Sequence, residues 1–331
     1  MTSEPATTAR GARRARPGAG AAVLAVIVSV LAVSGCAPPA ADPPAPISTA
    51  PARSGSAPPA AAPATPAPIA VDKVLVIMEE NRSVGDVATH LPYLMSQAHR
   101  YGYATDYHAI RHPSLPNYLS IAGGSTFGVT DDEDPAVHEI AGRSVFGALL
   151  AGGHTAMTYA DGMPTTCALH NHGDYAVRHN PWTYFADPGE RSACRRLDVP
   201  AGTPTRGALA ADVSAGRLPT VGLLVPDVCH DGHDCSAAVT DRWLRSWLPT
   251  ITAGPDFRSG RLAVVVTWDE DDDHSGNRVP LIVLHPSLTG RTVGGRLDHD
   301  ALSGSLLRVA GEKPLRKGKG TPDVLEAFGL R

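Results

Sequence analysis

Basic residues are scarce in this sequence. Its 331 residues include 29 Lys and Arg against 33 Asp and Glu. Four of the arginines and one glutamate fall in the first 35 residues; the remainder holds 25 basic and 32 acidic residues, a net charge of −7. Such a chain gains nothing from displacing counterions from a nucleic acid, which excludes that class of partner. Anionic membrane surfaces do not attract it either. The apolar stretch from Ala21 to Val33 is shorter than a bilayer span requires. No second CxxC-like half accompanies Cys229 and Cys235, so a cysteine-held zinc module is disfavoured.

What is present at the N-terminus reads as targeting. A basic region, the apolar run and then Ser34-Gly35-Cys36 form the pattern of a lipoprotein signal, with residues 1–35 removed and Cys36 lipidated. An ordinary signal peptide or a short membrane anchor is the alternative. Two acyl chains on one cysteine suffice for stable anchoring. Residues 36–70, mostly Ala, Pro and Ser, cannot bury a core and read as a disordered, semi-rigid tether. The catalytic domain is expected over residues 71–331, exported and lipid-anchored or secreted, touching the membrane through Cys36 alone, and monomeric. Four cysteines remain in it, an even number that suits two disulfides outside the cell. Three pairings are possible; Cys229 with Cys235 is the local choice, leaving Cys167 with Cys194.

Short apolar runs alternate with helical patterns along the domain. KVLVIM (73–78), Thr155–Ala160, TVGLLVP (220–226), RLAVVVT (261–267) and 279–284 read as strands, with an edge strand over Tyr103–Ala109. Helices are expected over Pro92–His99, from about Asn117, from Ser144, from a cap at Thr240 or Asp241, across Ser303–Val309 and after Thr321-Pro322-Asp323. Residues 161–200 show no period and read as an elaborated surface or lid segment, whose His170, His172 and His179 could be ligands but are read by preference as solvated loop residues. The fold class is α/β: a mostly parallel sheet with helices on both faces. Three of the strands empty into ionisable residues: Glu79-Glu80-Asn81, the loop Asp227 to Cys235, and Asp269 to Asp273. Strand ends on one rim of such a sheet are where ligands bind.

Those clusters define a chemistry. Five consecutive acids repel one another unless coordinated or solvated. Asp269 and Glu270, nearest their strand, are expected to be coordinated, and the last three acids solvated. Oxygen ligation by Glu80, Asn81, Asp269 and Glu270 suits Mg²⁺ or Ca²⁺, and a nearby histidine would admit Zn²⁺. The loop RHPSLPN (111–117), stiffened by Pro113 and Pro116, presents the Ser114 hydroxyl, toward which Asn117 can turn its amide. Ser120 and Ser125 rank lower as nucleophiles. A metal beside a serine can hold a phosphoryl oxygen and lower the hydroxyl pKa, and a histidine can protonate the leaving alcohol. The rival readings are a phospholipase C-like phosphodiesterase in the same site and a non-catalytic, calcium-stabilised surface lipoprotein.

The blocks VLVIMEENRS (74–83), HPSLPNYLSIAGGST (112–126), VPDVCHDGHDC (225–235) and TWDEDDDHSGNRVPLIVLHP (267–286) resemble, in order, the motifs of the bacterial phosphoesterase family of acid phosphatases and phospholipases C. The resemblance implies an alkaline-phosphatase-like fold and a phosphoric monoester hydrolase. It implies that Ser114 becomes phosphorylated, that Glu80, Asn81, Asp269 and Glu270 bind the metal, and that His112 and His233 bind phosphate or move protons. The Asp271-Asp272-Asp273 tail resembles the acid phosphatase branch, and within it secreted phosphatases acting on phosphatidylinositol 3-phosphate. Asp227 stands where the family commonly has Asn. The family's late histidine is absent just before Leu306, and His299 lies earlier.

Overall fold

Residues 70–330 are described by a computed structural model. The signal segment, Cys36 and the tether up to residue 69 lie outside the described residues. In chain order the strands are β1 (Lys73–Glu79), β2 (Gly102–Ala104), β3 (Tyr107–His108), β4 (Ala156–Ala160), β5 (Asp198–Pro200), β6 (Val221–Val225), β7 (Leu262–Trp268), β8 (Leu281–Leu284), β9 (Arg291–Val293) and β10 (Leu297–Asp298). The α-helices are α1 (Val84–His90), α2 (Pro92–Arg100), α3 (Ser114–Gly123), α4 (Val145–Ala151), α5 (Pro188–Leu197), α6 (Ala208–Ala215), α7 (Ala237–Ala253), α8 (Pro255–Arg258), α9 (His299–Arg308) and α10 (Val324–Ala327).

Every side chain of β1, β6 and β7 is buried. Strands covered on both faces need no polar alternation, which is why they stand out as unbroken apolar runs. They sit side by side in an eight-stranded sheet of order β5-β4-β6-β1-β7-β8-β2-β9. β6, β1 and β7 run parallel, so their acidic C-terminal ends emerge at one rim, as expected. β8 alone opposes its neighbours. The β7–β8 connection carries no helix to return the chain to the start of the sheet, so the chain doubles straight back. The expected edge strand at 103–109 divides: β2 joins the main sheet, and β3 pairs with β10 in a second, two-stranded one. Helices cover both faces: α3 packs with α4 and α9, and α1 with α2 and α7.

Three boundaries differ from expectation. Helix α3 begins at Ser114, with Pro113 as its cap, rather than near Asn117. Pro116 is tolerated because first-turn N–H groups have no acceptor within the helix. Helix α7 begins after Ser236, and the Asp241 carboxylate instead accepts from Tyr93 N and Leu94 N at 3.1 and 2.9 Å, capping α2 from a distance. Within the supposedly irregular 161–200, α5 is a helix with four charged residues in ten that buries Glu190, Ala193 and Cys194.

Both expected disulfides are present, Cys167–Cys194 and Cys229–Cys235, which removes the cysteines as zinc ligands. Cys167–Cys194 closes a loop with a sequence separation of 27. Replacing both cysteines by serine is expected to cost about 3 kcal/mol through the freer unfolded chain, read as a Tm about 6–12 °C lower. An unchanged Tm would mean that other contacts alone hold the segment.

Candidate active site

The backbone between the strand ends is laced together before any side chain is considered. Glu80 N donates to Asp231 O, and Asp269 N to Glu79 O, each at 3.0 Å. Asn81 adopts a left-handed φ of 56°, a conformation Asn accepts more readily than most residues. There its N–H donates to Asp269 Oδ1 at 3.1 Å. Asn81, expected as a ligand, thus meets the cluster through its backbone. Ser83 caps α1 by accepting from Asp86 N, which ends the turn.

Ser114 is buried at the first position of α3. Its hydroxyl donates to Glu80 Oε2 at 3.1 Å. One turn on, Tyr118 Oη donates to Glu80 Oε1 at 2.6 Å. Ser114, Glu80 and Asp269 therefore converge, as the sequence implied. Ser120 is spent on Asp300 Oδ1, 2.7 Å away.

Asn117 does not turn to the Ser114 hydroxyl. Its Oδ1 accepts from Ile110 N and Arg111 N, and its Nδ2 donates to Arg111 O, Pro113 O and Glu270 Oε2. A buried amide saturates its donors and acceptors locally, and here that fixes the loop before the serine. His112 faces Glu270 Oε1 at 3.2 Å from Nδ1, and Asp271 Oδ1 and Asp273 Oδ1 at 3.2 and 3.4 Å from Nε2. The division of the five acids also shifts by one. Asp271 is buried and accepts N–H bonds from Asp273, Ser275 and Asn277, so it organises the loop; Asp272 and Asp273 are exposed.

Sequence reasoning preferred a solvated His179 over a ligand, and the structure reverses that preference. His170 and His172 are exposed, as expected, but His179 is fully buried. It stacks on Tyr118 at 5.1 Å, with Nε2 3.2 Å from Glu80 Oε1 and Nδ1 3.1 Å from Asp231 Oδ2. No local periodicity marks it; the one available signal was its place in the apolar, Trp/Tyr-rich run HNPWTYF. Asp132, also unassigned, accepts from Leu115 N in the first turn of α3 at 2.9 Å. His299 opens α9 and lies 2.7 Å from Asp269 O through Nε2, bracing the backbone rather than touching the carboxylates. His233 stands farther out, with Nδ1 on Asp234 Oδ1 at 2.6 Å and its ring 5.9 Å from that of His179.

Asp227 shapes the loop that holds Asp231 and His233. It accepts from Cys229 N and His230 N and faces His230 Nδ1 at 3.1 Å. Hydrogen bonding to the carboxylates of Asp161 and Asp227 pushes His230 up to about 10. A negative Asp227 holds that cation as Asn could not.

Burial is the main force on the central carboxyls. It holds Glu80 and Asp231 well above the carboxylate range, with neighbouring carboxylates adding to it. It raises Asp269 to about 7, against the N–H bond from Asn81. Glu270 rises to about 9 through burial, then Asp269 and Asp132. His179 goes the other way, well below its ordinary range, because burial disfavours its cation. A neutral imidazole has one N–H; placed on Nδ1 toward Asp231, it leaves the Nε2 lone pair facing Glu80 Oε1. His179 Nε2 and Asp269 Oδ2 are buried without a hydrogen-bond partner. Ligand atoms of Glu80, His179 and Asp231 lie within 4.8 Å of one another. Unpartnered donor atoms among carboxyls whose protons a metal can displace fit a divalent cation.

The mostly parallel sheet with helices on both faces is alkaline-phosphatase-like in fold. A Vibrio parahaemolyticus protein of the alkaline phosphatase superfamily overlays with a TM-score of 0.50 at 12% identity, over 78% of this chain and 72% of that one. The profile of the phosphoesterase family matches residues 87–308, and the chain belongs to that family. It is similar to a Mycobacterium tuberculosis protein named phosphatidylinositol-3-phosphatase, 29% identical over 262 residues, 77% of this chain and 82% of that one. It is also similar to an Aspergillus fumigatus acid phosphatase, 24% identical over 240 residues, 70% of this chain. It spans 52% of that fungal protein, about half its length.

A carboxyl raised on folding stabilises the fold fully below its ordinary pKa and loses that contribution as pH rises through the raised value. For Asp269 this window runs from 3.8 to about 7. Metal-free protein is therefore expected to melt higher at about pH 5 than at about pH 8. A divalent cation should raise Tm most at the higher pH. Calorimetry with and without a chelator measures both; a metal-free Tm that climbs with pH would refute the account.

Proposed function

We propose that this protein is an exported, metal-dependent acid phosphatase that hydrolyses phosphate monoesters through a phosphoserine at Ser114. As a member of the phosphoesterase family similar to acid phosphatases, it is a phosphoric monoester hydrolase. The observation that carries the mechanism is the Ser114 hydroxyl donating to Glu80 beside the unpartnered Asp269 Oδ2 and His179 Nε2.

Glu80, Asp269, Asp231 and His179 hold the cation, with Asn81 and Glu270 beside them. Oxygen donors predominate, which suits Mg²⁺ or Ca²⁺; the imidazole of His179 admits Zn²⁺. When bound, the ion neutralises charge on the phosphoryl group and lowers the pKa of the serine hydroxyl. Glu80 accepts the hydroxyl hydrogen and leaves the other lone pairs of Oγ for phosphorus. The new Oγ–P bond forms as the ester P–O bond breaks, and His112, linked to Glu270 and Asp271, delivers a proton to the departing alcohol. Water then cleaves the Oγ–P bond and frees phosphate. Asn117 positions the loop, and His233 meets the substrate from the rim.

Two further elements belong to this reading. The disulfides suit an oxidising compartment, and no described helix is long and apolar enough to cross a membrane. A signal over 1–35, a lipid on Cys36 and a tether over 36–70 would hold the domain 71–331 outside the cell. The M. tuberculosis relative's name points to phosphatidylinositol 3-phosphate as a substrate.

Ser114→Ala is expected to lower turnover of p-nitrophenyl phosphate roughly 10³-fold or more, with metal content and Tm retained. An active alanine variant would remove the phosphoserine. p-Nitrophenyl phosphorylcholine tests the alternative chemistry: faster release from this diester than from the monoester would make the site a phosphodiesterase.

A further inference from the structure

The short turn Val177–His179 that carries His179 into the site carries Arg178 with it, and nothing in the mechanism above uses Arg178. Its Nη2 donates to His233 Nε2 at 3.1 Å, and no carboxylate oxygen lies within ion-pair distance among the described residues. Arg82 is engaged, whereas Arg111, like Arg178, makes a single bond. Arg82 binds Asp86, Gly232 O and Cys235 O, and Arg111 donates to His112 O. A guanidinium has five N–H donors, so most of those on Arg178 remain open beside a site crowded with carboxylates. Its charge is felt there, since it pulls Asp231 down against burial.

The side chains are layered outward from the nucleophile. Ser114 touches Glu80, Glu80 faces the buried His179, and the ring of His179 meets that of His233. His233 is about one-third exposed and Arg178 lies on its outer nitrogen. In this series Ser114, Glu80 and His179 lie inward, and Arg178 lies beyond them on the far side of His233. With Nδ1–H on Asp234, His233 Nε2 is an acceptor that an incoming anion cannot use but can relieve of its donor.

We propose that Arg178 forms a rim subsite for a second phosphate on the leaving alcohol, so that the protein prefers monoesters of already phosphorylated alcohols. This rests on the phosphomonoesterase reading above. The planar fork of Arg178 leaves His233 and takes two oxygens of that phosphate, a geometry lysine does not reproduce. A soluble sugar or inositol phosphate and a phosphoinositide headgroup offer the same chemistry.

The test compares kcat/KM for an inositol bisphosphate, the matching phosphoinositide in mixed micelles, and p-nitrophenyl phosphate, using full-length protein loaded with its divalent cation. Arg178→Met is expected to lower the ratio of bisphosphate to p-nitrophenyl phosphate roughly ten- to hundredfold, mainly through KM. Arg178→Lys should recover part of it. Parallel losses for the soluble and lipid substrates assign the effect to the second phosphate. A loss confined to micelles would make Arg178 a membrane contact and overturn the proposal. Equal losses for all three substrates, or an unchanged ratio at unchanged Tm, would overturn it too. Wild-type protein inactive on every monoester would instead remove the phosphatase reading itself.

Discussion

Negative charge gathered at three adjacent strand ends is the constraint on which this structure turns. β6, β1 and β7 deliver Asp231, Glu80 and Asp269 to one point, all buried. Each uncompensated carboxylate buried there would cost several kcal/mol. The fold offsets part of that cost with donors: Asn81 N on Asp269, His233 N on Asp231, and Ser114 Oγ and Tyr118 Oη on Glu80. These do not suffice, since Asp269 Oδ2 and His179 Nε2 are left without partners. The remainder falls to protons or a cation, and a hydroxyl fixed against the same cluster turns that electrostatic problem into a reaction site.

Around the charges lies a second ring of residues that hold geometry. Asn117 ties the loop before Ser114 to Glu270; Asp271 folds the acidic loop onto its own N–H groups; His299 bridges Tyr107 Oη and Asp269 O, 2.7 Å from each. The Cys229–Cys235 bridge closes the loop that carries Asp231 and His233. Glu79, side by side with Trp268 on the next strand, has neither carboxylate oxygen bonded. Burial, then Asp231, raises it well above the carboxylate range, so it enters the sheet as a neutral acid and adds no charge to its neighbours.

What could be read in the sequence follows from how each feature is encoded. KVLVIM, TVGLLVP and RLAVVVT were legible because burial on both faces leaves a local trace, and the acids behind them were legible because they adjoin those strands. Ser114 stood out through its prolines. His179 left no such trace: its partners Glu80 and Asp231 are 99 and 52 residues away in the chain, and its own segment has no period. The cap that Asp241 gives α2 is equally long-range, which is why α7 was read as starting four or five residues late. Asn117 was assigned to the right place with the wrong partners, and Asp271, expected to be solvated, is buried. Sequence shows that an amide or acid is near a site, but only packing decides which donors reach it first. Helix α5 was overlooked because its buried stripe, Glu190, Ala193 and Cys194, is short and includes a charged residue, so it does not read as apolar.

The central carboxyls also bear on how such a site works in acid. Without a cation, Asp269 and Glu270 hold protons up to about 7 and about 9. A metal must displace those protons, and each one displaced weakens metal binding about tenfold per pH unit below its pKa. Working at mildly acid pH therefore requires a cation bound tightly enough to outcompete several protons at once. A ring of carboxylates alone is poorly suited to this, because each member gains a proton as readily as it gains the metal. His179 differs: burial disfavours its cation, so its Nε2 stays an unprotonated ligand at pH values where the neighbouring carboxyls are filled. A fully buried imidazole among the acids thus gives the site one donor that acid does not take away.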